Sequence, residues 1–263
     1  FSSLGPVRIQ EKHSALHVPV IASAKEQAIF DAYSNEVNAL LFFAEKVVLV
    51  EGESDARVIR ALLQKKLKAE AHRISIISSA GNANFSPFLR MIRAWREAKI
   101  PHLIVTDFDS LTTPTDRAVI VGAEAAGYVL PGKATLHAKI DAALDKDEAD
   151  FNTAALEAKA QFAAAGLNVF VFTSDLEYSL ITAKNKSAVA QILTSVAPNN
   201  VNYEIGYDLN QLRRQIGSKG IPLNAMEKPP FKKPFVHQKI AETIDIDNSH
   251  GDIGRLLDAI AAL

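Results

Sequence analysis

Four short runs of β-branched and aliphatic residues, separated by helix-length segments, limit what this chain can fold into more than any other feature. They are Lys46–Val50 (KVVLV), Arg73–Ser78 (RISIIS), His102–Thr106 (HLIVT) and Asn168–Thr173 (NVFVFT). Each is almost continuously apolar, the pattern of a strand covered on both faces, as in a parallel sheet. Between the first three lie two amphipathic segments. Asp55–Lys68 sets Val58, Ile59, Leu62, Leu63 and Leu67 on one face, and Pro87–Ala98 does the same with Phe88, Leu89, Ile92 and Trp95. Ser86-Pro87 reads as a cap followed by proline at the first helical position. Strand–helix–strand–helix–strand predicts βαβ units and an α/β fold.

The remaining segments are less regular. Residues 7–42 read as helical around Phe30, Val37 and Leu40, and residues 115–166, rich in Ala, read as helices between the third and fourth strands. Residues 184–220 read as helical with a break near Pro198. Phe235–Ile244 and Ile253–Leu263 read as helices, and Glu227–Pro234 (EKPPFKKP) as a loop, because its three prolines cannot sit inside a helix. At 263 residues, 48% apolar and 22% charged, the chain suits one or two packed domains rather than disorder. It has no cysteine, which excludes disulfides, thiolate metal sites and cysteine nucleophiles. No apolar run is long enough for a membrane span and no leader opens the chain, so a cytoplasmic location is expected. The first residue is Phe1 rather than Met, which suggests a fragment of a longer protein.

Acids fall at the ends of the apolar runs. Glu51 follows the first, in Val50-Glu51-Gly52-Glu53-Ser54-Asp55. Asp107 and Asp109 follow the third, and Asp175 and Glu177 follow the fourth. In a parallel sheet these are the carboxyl ends of strands, where open α/β folds place their sites. A single acid there is commonly a cap or turn residue. Three clusters converging on one sheet edge would repel by roughly 4 kcal/mol per pair about 4 Å apart, at an effective dielectric near 20. Cations relieve such repulsion. Hard oxygen ligands without Cys, and without His at a strand end, select Mg²⁺ or Mn²⁺, and this many carboxylates suit two ions.

These residues resemble a known family. Glu51-Gly52 after an apolar strand with Asp55 four residues on, and Asp107-Phe108-Asp109 after a later strand, resemble the Toprim domain. Leu49–Asp55 as a whole, Ser79-Ala80-Gly81-Asn82, the third motif Thr173-Ser174-Asp175-Leu176-Glu177 and the Lys-Pro element Lys232-Lys233-Pro234 resemble the OLD (overcoming lysogenisation defect) family. The resemblance implies a Toprim-like parallel sheet flanked by helices, with an attached, mostly helical domain. Residues 43–113 would form the first part of the Toprim core, 167–182 its last strand and third acidic motif, 114–166 a helical insertion, and 1–42 with 183–263 the helical domain. It also implies a metal-dependent DNA endonuclease. Glu51, Asp55, Asp107, Asp109, Asp175 and Glu177 would hold two Mg²⁺ or Mn²⁺ ions, Glu51 would also move a proton, and Lys233 would stabilise charge on the scissile phosphate. Full-length members carry an ABC-type ATPase ahead of this region. The chain has no G-x-x-x-x-G-K-[ST] loop, so ATP chemistry is not expected of it.

Net charge is −1, so a polyanion must be met by a local patch. Between Gln211 and Ile240 stand Arg213, Arg214, Lys219, Lys228, Lys232, Lys233 and Lys239 against the single acid Glu227. This is a candidate DNA-backbone surface with little sequence preference. Arg90, Arg93 and Arg96 form a second, weaker candidate. Two other readings remain open at this level: a Toprim module that binds nucleic acid without cleaving it, and a phosphatase of the HAD type suggested by Asp107-Phe108-Asp109-Ser110-Leu111.

Overall fold

A computed structural model of the chain describes residues 7–10, 13–16, 24, 44–79, 81, 84–97, 100–107, 111, 118–143, 148–172, 176–196, 233–246 and 251–263. In chain order the strands are β1 (Val7–Gln10), β2 (His13–Leu16), β3 (Lys46–Val50), β4 (Ile74–Ser78), β5 (His102–Thr106) and β6 (Val169–Val171). The helices are α1 (Glu53–Leu67), α2 (Phe85–Glu97), α3 (Ala118–Ala125), α4 (Lys133–Ala143), α5 (Glu148–Ala164), α6 (Leu176–Ser179), α7 (Lys186–Val196), α8 (Lys233–Thr243) and α9 (Gly251–Ala261). A 3₁₀ segment, Lys68–Arg73, joins α1 to β4.

All four apolar runs are strands, and they form one parallel sheet in the order β4-β3-β5-β6. The expected α/β architecture is therefore present. β3 lies inside the sheet, and Val47, Val48, Leu49 and Val50 are all fully buried. Successive side chains of a strand point to opposite faces, so a strand covered on both faces must be apolar throughout. Val47 and Leu49 join one core with Ile77, Phe85, Phe88, Leu89, Ile104, Phe162 and Val169. The chain divides into two compact units. One holds the sheets with α2 to α5, and the other holds α1 and α6 to α9.

The second unit is built around α1. Its buried face is Ala56, Val58, Ile59, Ala61, Leu62 and Leu63, the face expected from the 3.6-residue period. Helix α8 packs along it. Ser54 near the start of α1 bonds His237 on α8, and Arg57 reaches Gln238. At the other end Lys65 Nζ donates to the carbonyls of Glu242 and Ile244. A cation there meets carbonyls left unpaired at the end of α8. Contacts that advance together along both sequences make the two helices parallel.

Three expectations are corrected. Val7–Gln10 and His13–Leu16 are not helical: β1 and β2 pair antiparallel, Val7 with Leu16 and Gln10 with His13. The alternation of Val7 and Ile9 with Arg8 and Gln10 is a period of two, which the helical reading of 7–42 passed over. The loop expected over Glu227–Pro234 is corrected at its end, where α8 begins at Lys233 with Pro234 in its first turn; residues 227–232 lie outside the described residues. There proline's missing N–H costs nothing, as no carbonyl awaits it. Pro87 likewise lies in the first turn of α2, which starts at Phe85 rather than at Pro87.

Candidate functional site

The order β4-β3-β5 makes consecutive connections leave β3 toward opposite sides. From β3 the chain goes through α1 to β4 on one side. From β4 it returns through α2 to β5 on the other. The point between the carboxyl ends of β3 and β5 is thus a topological switch point, the position at which open α/β sheets bind ligands. Glu51 follows β3 there and Asp107 follows β5.

The pairing Val47 with His102, Val48 with Leu103 and Leu49 with Ile104, continued by two residues, sets Glu51 level with Thr106. Side chains follow this register. Thr106 Oγ1 donates to Glu51 Oε1 at 2.5 Å, and the Asp107 backbone N–H donates to the same oxygen at 3.2 Å. Thr106 is buried, while Glu51 and Asp107 are partly exposed.

The main chain of Glu51 is held from the other neighbouring strand. Its carbonyl accepts the Gly81 N–H at 2.7 Å, and the hydroxyls of Ser79 and Ser78 lie 3.1 and 3.5 Å from it. The Ser79 N–H donates to the Val50 carbonyl at 2.9 Å. Gly81 has φ +121°, a conformation nearly confined to glycine, and it lets the loop after β4 turn back under Glu51. The glycine-bearing loop noted in the sequence therefore shapes the backbone of the first acidic motif.

Asp55 lies in the first turn of α1, partly exposed. Carboxylates are favoured in that turn by the unpaired N–H groups and the helix dipole, so this position alone also has a structural explanation. Glu53 pairs with Arg57 one turn on, at 3.0 Å. Glu177 falls within α6. Lys233 is the first residue of α8. Because α8 runs parallel to α1 with His237 opposite Ser54, Lys233 lies at the end of α8 that adjoins the start of α1. Asp109, Asp175 and the basic residues Arg213, Arg214, Lys219, Lys228 and Lys232 lie outside the described residues. Among the described residues no group of three or more His, Asp or Glu comes together. Arg90 donates to the Ala125 carbonyl, so that member of the second basic set serves a structural contact.

Sequence reading missed Thr106 and His237. Thr106 read as the last β-branched residue of a strand, and nothing in a single sequence pairs it with a carboxylate 55 residues away. His237 is fully buried on α8, 183 residues from its partner. The donor set at the switch point is hard oxygen throughout, with Glu51 and Asp107 on adjacent strands and Glu51 fixed in place. Such donors suit Mg²⁺ or Mn²⁺ and not a soft metal.

Among the described residues no helix is long and apolar enough to cross a membrane. No curated protein matches the chain in sequence. Among solved structures, the C-terminal region of the Xanthomonas campestris pv. campestris OLD protein is similar, with a TM-score of 0.50 at 20% identity. That likeness covers 84% of this chain and 98% of that one. The C-terminal region of the Burkholderia pseudomallei OLD protein aligns over 83% of this chain and 99% of that one, at 18% identity and a TM-score of 0.48. At these identities the Xanthomonas likeness establishes the shared fold. Residues 42–109 match the family described as overcoming lysogenization defect protein-like, TOPRIM domain. That span contains β3, α1, β4, α2 and β5 with Glu51, Asp55, Asp107 and Asp109. Across residues 42–109, the chain carries a Toprim domain of the OLD-like family.

Proposed function

We propose that this chain is a divalent-metal-dependent DNA endonuclease, the nuclease half of an OLD-type protein that hydrolyses phosphodiester bonds with little sequence preference. The observation that carries this reading is Glu51 at the switch point, held through its side chain by Thr106 and Asp107 and through its main chain by the loop after β4. A structural acid at a strand end needs one such anchor. A glutamate whose carboxylate is held from β5 and whose main chain is held from the loop after β4 is set to meet something outside the fold.

In this reading Glu51, Asp55, Asp107, Asp109, Asp175 and Glu177 hold two Mg²⁺ or Mn²⁺ ions. When bound, the ions supply an activated water and offset charge at the attacking and leaving oxygens of the phosphate. Glu51 would accept the proton that the attacking water loses, and solvent would protonate the departing oxygen as its bond to phosphorus breaks. Lys233, a flexible point charge at the start of α8, neutralises the phosphate oxygens as negative charge builds. The basic segment 211–240 holds the DNA backbone.

The test is nicking of supercoiled plasmid by the chain in Mg²⁺ or Mn²⁺. Activity should vanish with chelator and fall at least about 10²-fold in Glu51→Gln and in Asp107→Asn. Salt-sensitive DNA binding with no cleavage in either metal would instead make the chain a binding module.

A further inference from the structure

We propose that Thr106 is a positioning residue for the metal centre, aiming the Glu51 carboxylate at the ion through its hydroxyl. This rests on Glu51 being a metal ligand.

A strand end in a sheet needs only a β-branched residue, and valine would satisfy it. Thr106 is 1% exposed, and a hydroxyl buried that deeply is costly unless it is bonded. Its bond goes to Glu51 Oε1 at 2.5 Å, while the other oxygen in reach, the Asp107 carbonyl, is 3.4 Å away. The Asp107 N–H donates to the same Oε1. Two donors from β5 thus fix one oxygen of a side chain whose other end hangs from β3. A glutamate side chain has three rotatable torsions, and holding Oε1 removes most of that freedom. It also sets the plane of the carboxylate and so the direction of Oε2. The carbonyl of Glu51 is held independently by Gly81 and Ser79, so the residue is held at its main chain as well as at its carboxylate. Partners of this kind, behind the ligands themselves, typically govern metal affinity by about 10–100-fold.

The experiment is calorimetric titration of the whole chain with Mn²⁺ alone, together with plasmid cleavage, for wild type, Thr106→Val, Thr106→Ser and Glu51→Gln. Valine keeps the volume and loses the donor, whereas serine keeps the donor. Thr106→Val should weaken Mn²⁺ by about 10–100-fold and raise the Mn²⁺ concentration for half-maximal cleavage in parallel. Thr106→Ser should stay near wild type. Wild-type Mn²⁺ binding in Thr106→Val while Glu51→Gln loses the ion overturns the role of Thr106 and leaves the metal site standing. An equal loss in the serine and valine variants also overturns it, because the methyl group and not the hydroxyl would then matter. Undiminished Mn²⁺ binding in Glu51→Gln removes Glu51 from the site, and the proposal falls with it.

Discussion

Ser54 Oγ and His237 Nδ1 stand 2.7 Å apart and join the first turn of α1 to α8 across 183 residues of chain. His237 is fully buried, so the bond forms away from competing water. Truncating it should be costly: His237→Ala removes a buried ring and a hydrogen bond, an expected loss of about 2–4 kcal/mol. Ser54→Ala should lose about 1 kcal/mol, and the double variant should fall short of the sum. Urea unfolding of the four proteins measures this. Strict additivity would mean that the two side chains do not act as a pair.

The two lysines of the Lys-Pro element should separate. Lys233 opens α8 beside the start of α1, whereas Lys232 precedes the helix in sequence. Lys233→Ala should reduce cleavage about 10²-fold with the thermal midpoint nearly unchanged, and Lys232→Ala should affect mainly the salt dependence of DNA binding. Equal losses in both would assign the element to general charge attraction.

Gly81→Ala offers a test of backbone geometry without a clash. An added Cβ meets nothing within 4 Å, yet φ is +121°. The expected loss is about 1–3 kcal/mol from conformation alone. Because the Gly81 N–H holds the Glu51 carbonyl, cleavage should fall further than the loss of folded protein explains. A stable and fully active alanine variant would show that the loop relaxes without disturbing Glu51.

Outside the site, Glu157 supplies a pH-dependent element. Hydrogen bonds from Lys139 and Gln161 hold its carboxyl below the ordinary range. A depressed carboxylate stabilises the fold above its unfolded pKa and loses that contribution as pH falls through its folded one. Glu157→Gln should therefore melt below wild type at pH 7, and the two should converge on acidification below the ordinary carboxylate range. Glu157 and Lys139 are both partly open to solvent, so the gap should be small and shrink with salt. A gap that widens in acid would contradict the assignment.

The sheet was legible because burial on both faces leaves a continuous apolar run. Lys46–Val50, His102–Thr106 and their neighbours carry that imprint whatever surrounds them. The positions of Glu51 and Asp107 followed from the strand ends. The hairpin Val7–Leu16 was lost because four-residue strands give alternation too short to outweigh a helical pattern next to it. Lys233 reads as a loop residue because proline is read as a breaker, although the first helical turn tolerates it. Thr106, Ser54 and His237 act through partners fixed by register and helix packing. Those relations belong to the folded state and leave no local spacing to read. Asp109, Asp175 and the basic residues up to Lys232 lie outside the described residues.

β6 has three residues, stands at the margin of the sheet and reaches β5 only after the excursion through α3, α4 and α5. Its pairing closes the longest loop in the sheet and so carries the largest closure entropy. So brief a border also offers foreign chains few backbone groups to pair with, which guards the half-built protein against sticking to its own kind.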